Sequence, residues 1–300
     1  MHKTVIIVLA AIALNLIYRK FKYSEELFDT TEHYNLVSEY LLGERLSDLK
    51  PILWVHSATE VNARNWQSFQ SRNSTNLNQP YVLQCIQSIY DQCEESFNVC
   101  LIDDSVFAKL IPKWALEVEN MASPAKDHYR QLGFTSLLYF YGGLLVPAST
   151  LCVRNLLRLH TSALDASDMY AVEKYGDGVF VPNPEFMGCR KRCTAVGALL
   201  AWQHNLCETD KTSACDFNGE LSNYLKHNAA LVDGSLVGIK RQGQPLSMED
   251  WLGATPLDLP LDAICLPGKE ILRRPKFSWF CRMSVAQIRK SNLAVSAYMK

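Results

Sequence analysis

Positive charge is not in surplus in this 300-residue chain: 30 Lys and Arg stand against 31 Asp and Glu, a formal net charge of −1. A protein that neutralises a phosphate backbone needs an excess of cations. No run of Lys and Arg interleaved with aromatics supplies one locally, so nucleic acid is not the expected partner. Internal repeats and low-complexity linkers are also lacking, which argues against a solenoid or a string of small modules. Charged residues make up only 20% of the chain and hydrophobic ones 48%, so a sizeable core is expected and disorder is not. The paired two-residue spacings of structural zinc sites are missing too. Around Cys189, Cys193, His204, Cys207 and Cys215 the spacings are three, two and seven residues, a poor match to a zinc site. Ten cysteines are many for a cytosolic enzyme, yet several fall on apolar positions of predicted helices and strands, where a thiol acts as a small hydrophobe. Cys85 and Cys93 share one predicted helix and stand too far apart on it to bond each other.

The first segment differs from the rest. From Thr4 to Tyr18 the chain is uncharged, with Lys3 before it and Arg19, Lys20 and Lys22 after it. This is slightly short of the roughly 20 residues that a ~30 Å hydrocarbon core requires. Snorkelling cations and Phe21 extend its reach, so residues 1–22 are expected to be an uncleaved, single-pass membrane anchor, with residues 23–50 as a helical stem. A cleaved signal peptide and a buried N-terminal helix remain alternatives, because Ala11-Ile12-Ala13 has the small-x-small pattern but lies inside the apolar run. The cationic cluster after the segment opposes a lumenal orientation for the rest of the chain. Asn73-Ser74-Thr75 is an acceptor sequon that matters only in a lumenal domain.

Residues 51–300 read as one mixed α/β domain. ILWV, after Lys50-Pro51, has the look of a buried parallel strand. Pro80 opens a helix with Val82, Cys85, Ile86, Ile89 and Cys93 on one face. Asn98–Ile102 is a second strand, with Asp103-Asp104 at its carboxyl end. Ser123-Pro124 starts a longer helix that stops at Gly142-Gly143, and Leu144–Val146 is a third strand ended by Pro147. Further strands are predicted at Met169–Val172, Val179–Val181, Glu185–Cys189 and Ala230–Ile239, and helices at Thr194–Asn205 and Ser213–Lys226. Strand, helix, strand implies a right-handed crossover and a mostly parallel sheet flanked by helices.

In such sheets ligands bind outside the carboxyl ends of strands, which picks out His56, Asp103, Asp104 and the run Pro147-Ala148-Ser149. A carboxylate there can accept hydrogen bonds from ribose hydroxyls or a base N–H. The competing role for Asp103 or Asp104 is to cap the helix that begins at Ser105. Trp279 and Phe280 could stack on a sugar or base, or simply pack in the core.

ILWVH, the helix with QCIQSI, VCLIDD, and a helix ending LLYFYGGLLVP together resemble the capsular-polysaccharide-synthesis and Asp-x-Asp sugar-transferase families of GT-A fold, over roughly residues 50–155. Weaker likenesses continue at FVPNPEFMGCRKR and GIKRQGQPLSMEDWLG. The resemblance implies a glycosyltransferase that moves a sugar from a nucleotide-sugar donor to a glycan acceptor. It implies donor contacts from His56, Asp103, Asp104, Tyr141, Gly142, Gly143 and Ser149, and from an Asp and Arg on the helix before Tyr-Gly-Gly. Asp127 and Arg130 have that pair's spacing, one helical turn further upstream than the families place it.

One departure bears on mechanism. Those families hold a divalent metal, manganese or magnesium, with carboxylates after the third strand, whereas this chain reads Leu145-Val146-Pro147-Ala148-Ser149. Proline and serine cannot replace a hard-cation carboxylate site, so metal-free assistance from Arg130, Arg190, Lys191, Arg192 and Arg282 is the consistent expectation. The alternative is a catalytically inactive relative that keeps the fold as a binding or assembly subunit.

Overall fold

Strands buried on both sides need helices on both sides, and that requirement organises the molecule. The computed structural model describes residues 36–43, 46–57, 79–209, 212–268, 271 and 275–299. The expected anchor, the stem up to residue 35 and the sequon at 73–75 lie outside these. Among the described residues no helix is long and apolar enough to cross a membrane.

β1 (Ile52–His56), β2 (Asn98–Ile102) and β3 (Gly143–Pro147) are parallel, with His56 in register with Ile102 on one side and Pro147 on the other. β3 leads into the short β4 (Thr150–Cys152). β5 (Met169–Gly176), β6 (Val179–Cys189) and β7 (Ala230–Val232) complete a six-stranded sheet of order β2-β1-β3-β6-β5-β7. Only β6 runs against its neighbours in this sheet, so it is mixed and mostly parallel, as expected.

α1 (Pro80–Cys93) connects β1 to β2, and α2 (Val106–Leu110) and α3 (Ala125–Tyr141) carry the chain back across β1 to β3. Reversing the direction of crossover puts α1 and α3 on opposite faces. The two-residue period of the strands sorts their side chains accordingly. Leu53, Val55, Leu144 and Val146 pack with Ile86 and Ile89 of α1, whereas Ile52, Trp54, Ile102 and Leu145 pack with Leu132, Leu137 and Leu138 of α3. α4 (Leu157–Ala166) joins the first face; α5 (Thr194–Thr209) and α6 (Ala214–Asn228) join the second through Val196, Leu199, Phe217 and Leu221. Each fully buried Leu, Ile or Phe among these contributes on the order of 2 kcal/mol.

The C-terminal chain builds a third apolar cluster on the outside of α1. β8 (Lys240–Arg241) and β9 (Gln244–Pro245) form a ribbon, α7 (Met248–Trp251) follows, and β10 (Ala263–Cys265) pairs antiparallel with β4. Trp251, Ile264, Phe280 and, from α8 (Val285–Lys290), Ile288 then close over Tyr81 and Cys85.

Three elements differ from their expected course. The two strands predicted at 179–181 and 185–189 are one strand, because Pro182 and Pro184 interrupt the sequence pattern without ending the ladder; the register shift between Ala171 and Val172 absorbs the irregularity. The strand expected over 230–239 stops at Val232, where the Asp233 side chain accepts from Ser235 N–H at 2.7 Å and starts a 3-10 turn. The expected helical stem is helical only to Ser38 in its described part. Leu42 N–H then donates to Val99 O and Leu101 N–H to Tyr40 O, so this segment covers the open edge of β2.

Candidate functional site

β1 is the strand at which the sheet order reverses: the chain leaves it toward β2 and later returns past it to β3. The crevice outside the carboxyl ends of strands at such a point is where open α/β sheets take ligands. His56 ends β1, Asp103 and Asp104 follow β2, and the first turns of α3 lie across the gap on the Trp54 face.

Four of the sequence-predicted residues meet there. Arg130 grips the Asp104 carboxylate with two bonds, Nε to Oδ1 and Nη2 to Oδ2, both 2.7 Å. His56 Nε2 lies 2.9 Å from Asp104 Oδ1 and its ring packs edge-on against Phe134, with 4.9 Å between centroids. Asp127, one turn before Arg130, stands 3.6 Å from Arg130 Nη1 and accepts from Ser123 Oγ at 2.7 Å. Burial pushes the Asp104 carboxyl up, but the hydrogen bonds and charges of Arg130 and His56 outweigh it and hold the group well below the usual carboxylate range. Lys126, which is not among the sequence-predicted residues, brings Nζ to 3.9 Å from Asp104 Oδ2. Its spacing of four from Arg130 places both cations on one helix face, which was the available signal.

The two adjacent aspartates divide the roles between them. Asp103 Oδ1 accepts from Ser105 N–H at 3.0 Å and from Ser105 Oγ at 2.6 Å, so the turn-forming role belongs to Asp103 and not to Asp104.

The remaining candidates lie elsewhere. Tyr141, Gly142 and Gly143 are at the amino end of β3, four residues and about 13 Å along the strand from Pro147. Tyr141 donates to Leu110 O at 2.9 Å, and Gly142 O accepts from the buried Trp54 Nε1 at 3.1 Å. The glycines are there for close packing: a Cβ on Gly143, at φ 97°, would meet Ile52 O at 2.1 Å, and one on Gly142, at φ 71°, would meet Lys191 N at 2.7 Å. Arg190, Lys191 and Arg192 follow Cys189, which is in register with Gly143, so the antiparallel course of β6 carries them to that same far end. Arg190 pairs with Asp168 there at 3.0 Å. Ser149 is at the crevice side, but its hydroxyl donates to Leu266 O at 2.7 Å. Arg282 is exposed, two residues past Phe280, which packs on Tyr81 in the first turn of α1 with 5.0 Å between rings. Phe280 is wholly buried and belongs to the core; Trp279 is partly exposed.

The run after β3 does not fit a divalent metal on a diphosphate. It offers no carboxylate, and among the described residues no three His, Cys, Asp or Glu side chains are grouped to hold an ion.

No protein-family model and no curated protein matches the chain. A solved structure named PaToxG Glycosyltransferase is similar over 70% of this chain and 79% of that one, at 11% identity and a TM-score of 0.35. A similarity this low carries no argument about fold or activity.

Proposed function

We propose that the crevice at the ends of β1 and β2 holds a nucleotide sugar, and that the chain is a glycosyltransferase-like protein that passes the sugar to a glycan hydroxyl without a carboxylate-held metal. The observation that supports this reading is the meeting of His56, Asp104, Asp127 and Arg130, from three elements, at the point where the strand order reverses. Asp103 Oδ2 carries no hydrogen bond among the described residues and suits a ribose hydroxyl. The reading also takes residues 4–18 as a single-pass membrane anchor, supported by their lack of charge and their cationic flanks.

A second reading, a non-catalytic binding or assembly subunit, is favoured by the charge balance of the cluster. Among the described residues Arg130 and Lys126 face Asp104 and Asp127, two cations against two carboxylates, a balanced cluster that does not itself offer a surplus of positive charge to a departing diphosphate. Thermal unfolding of the full chain with UDP- and GDP-sugars, with and without manganese, tests both. Stabilisation that ignores manganese and is lost in Asp103→Asn is expected from the transferase or from a subunit that still binds the donor. Sugar turnover then selects the transferase, and no response to any nucleotide overturns it and favours the non-catalytic reading.

A further inference from the structure

The thiols of Cys93 and Cys152 approach each other inside the first apolar face. Cys93 is the last residue of α1 and Cys152 the last of β4, and their Sγ atoms are 3.9 Å apart. Both are buried, in the cluster that contains Ile89, Phe97 and Leu156. The approach does not depend on side-chain rotation alone. Ser88 Oγ, on the same helix, accepts from Cys152 N–H at 2.8 Å while donating to Cys85 O at 2.7 Å, which pins the β4 backbone to α1 close to the two sulfurs. β4 is held from its other side by β10, through the register Ala263 to Cys152. The Cys152 thiol also donates to Arg154 O at 3.0 Å, a contact that it gives up on bonding to Cys93; Cys207 donates to His128 O at 3.8 Å, and Cys265 lies against Thr150 Oγ1 at 3.8 Å.

We propose that Cys93 and Cys152 form a native disulfide when the chain folds in an oxidising thiol buffer, joining the end of α1 to β4. The sulfurs have to close from 3.9 Å to a bonding distance of about 2 Å. Either cysteine can attack first, and Cys93 serves as the example. Its thiolate displaces one glutathione from glutathione disulfide, forming a mixed disulfide. Cys152 then loses its proton and attacks the Cys93 sulfur, releasing the second glutathione. Two protein thiols and one glutathione disulfide become one protein disulfide and two glutathione thiols. The exchange belongs to the folding stage, before the apolar face closes over both sulfurs. A bridge spanning 59 positions constrains the unfolded chain and stabilises the fold.

The test is to unfold the full chain under reducing conditions and refold it with reduced and oxidised glutathione. Remaining thiols are blocked with N-ethylmaleimide, and the protein is digested without reduction. A disulfide-linked peptide pair carrying Cys93 and Cys152 is expected. The oxidised protein should also unfold several degrees above the reduced form, a shift that is absent in Cys93→Ser and in Cys152→Ser. Recovery of both cysteines as blocked thiols, or joined to other partners, overturns the proposal, and neither result depends on whether the variants fold.

Discussion

Replacing Asp104 by asparagine preserves the shape of the side chain but removes the charge that Arg130 grips. The Asp104 side chain is 5% exposed and that of Arg130 12%, so the guanidinium would keep its burial while facing an amide NH2 in place of a carboxylate oxygen. Removing one member of a buried pair costs about 3–5 kcal/mol, because the surviving charge is left desolvated and unpaired. Arg130 retains Asp127 at 3.6 Å, which places the expected loss for Asp104→Asn at or just below the lower end of that range, about 2–3 kcal/mol. Against a total stability of ~5–15 kcal/mol this is a large fraction. Urea unfolding at pH 7 reads the loss as a lower midpoint at unchanged slope. A double-mutant cycle with Arg130→Met isolates the pair, and a coupling of about 1–3 kcal/mol is expected. A loss within ~0.5 kcal/mol of the parent, or additive single and double variants, would refute the assignment of this cluster as a buried ion pair.

The same carboxylate sets a pH dependence. Asp104 is held below its ordinary value, so its contribution is fully present above the unfolded value near 4 and is lost as pH falls through the folded one. Stability measured from pH 6 downward should therefore decline below about pH 4, and less steeply in Asp104→Asn. Gly143→Ala should lose at least about 3 kcal/mol in the same urea assay, since its Cβ would overlap Ile52 O. Gly178→Ala, also at positive φ but with open space around it, should lose only about 1 kcal/mol. Phe280→Ala should cost about 3–5 kcal/mol from its buried site, whereas Trp279→Ala, at a partly exposed one, should stay within about 1 kcal/mol by thermal or urea unfolding.

What the sequence determined by itself is local. Uncharged runs such as ILWV and NVCLI can only be strands buried on both faces or pieces of helix, and their length and flanking turns decide for strand. Helix boundaries at Pro80 and at Gly142 follow from backbone restrictions that no tertiary contact is needed to impose. The placing of His56 and Asp104 at strand ends came from those boundaries, and so did the expectation of a crevice beside them.

Pairing and direction belonged to the tertiary structure. Asp104 and Arg130 are 26 positions apart and His56 and Asp104 are 48, so nothing local told which aspartate would take the arginine and which the turn. Arg190, Lys191 and Arg192 looked suited to a diphosphate because the sequence does not reveal that β6 runs antiparallel, and that one reversal sends them to the opposite end of the sheet. Tyr141, Gly142 and Gly143 went the same way: a Tyr-Gly-Gly between a helix and a strand reads equally as a ligand loop or as a tight passage beside a neighbouring backbone. Only the presence of Ile52 O against Gly143 decided it. Strand direction and contacts between distant elements are set by the packing of whole faces, and a periodicity of two or 3.6 residues carries no record of either.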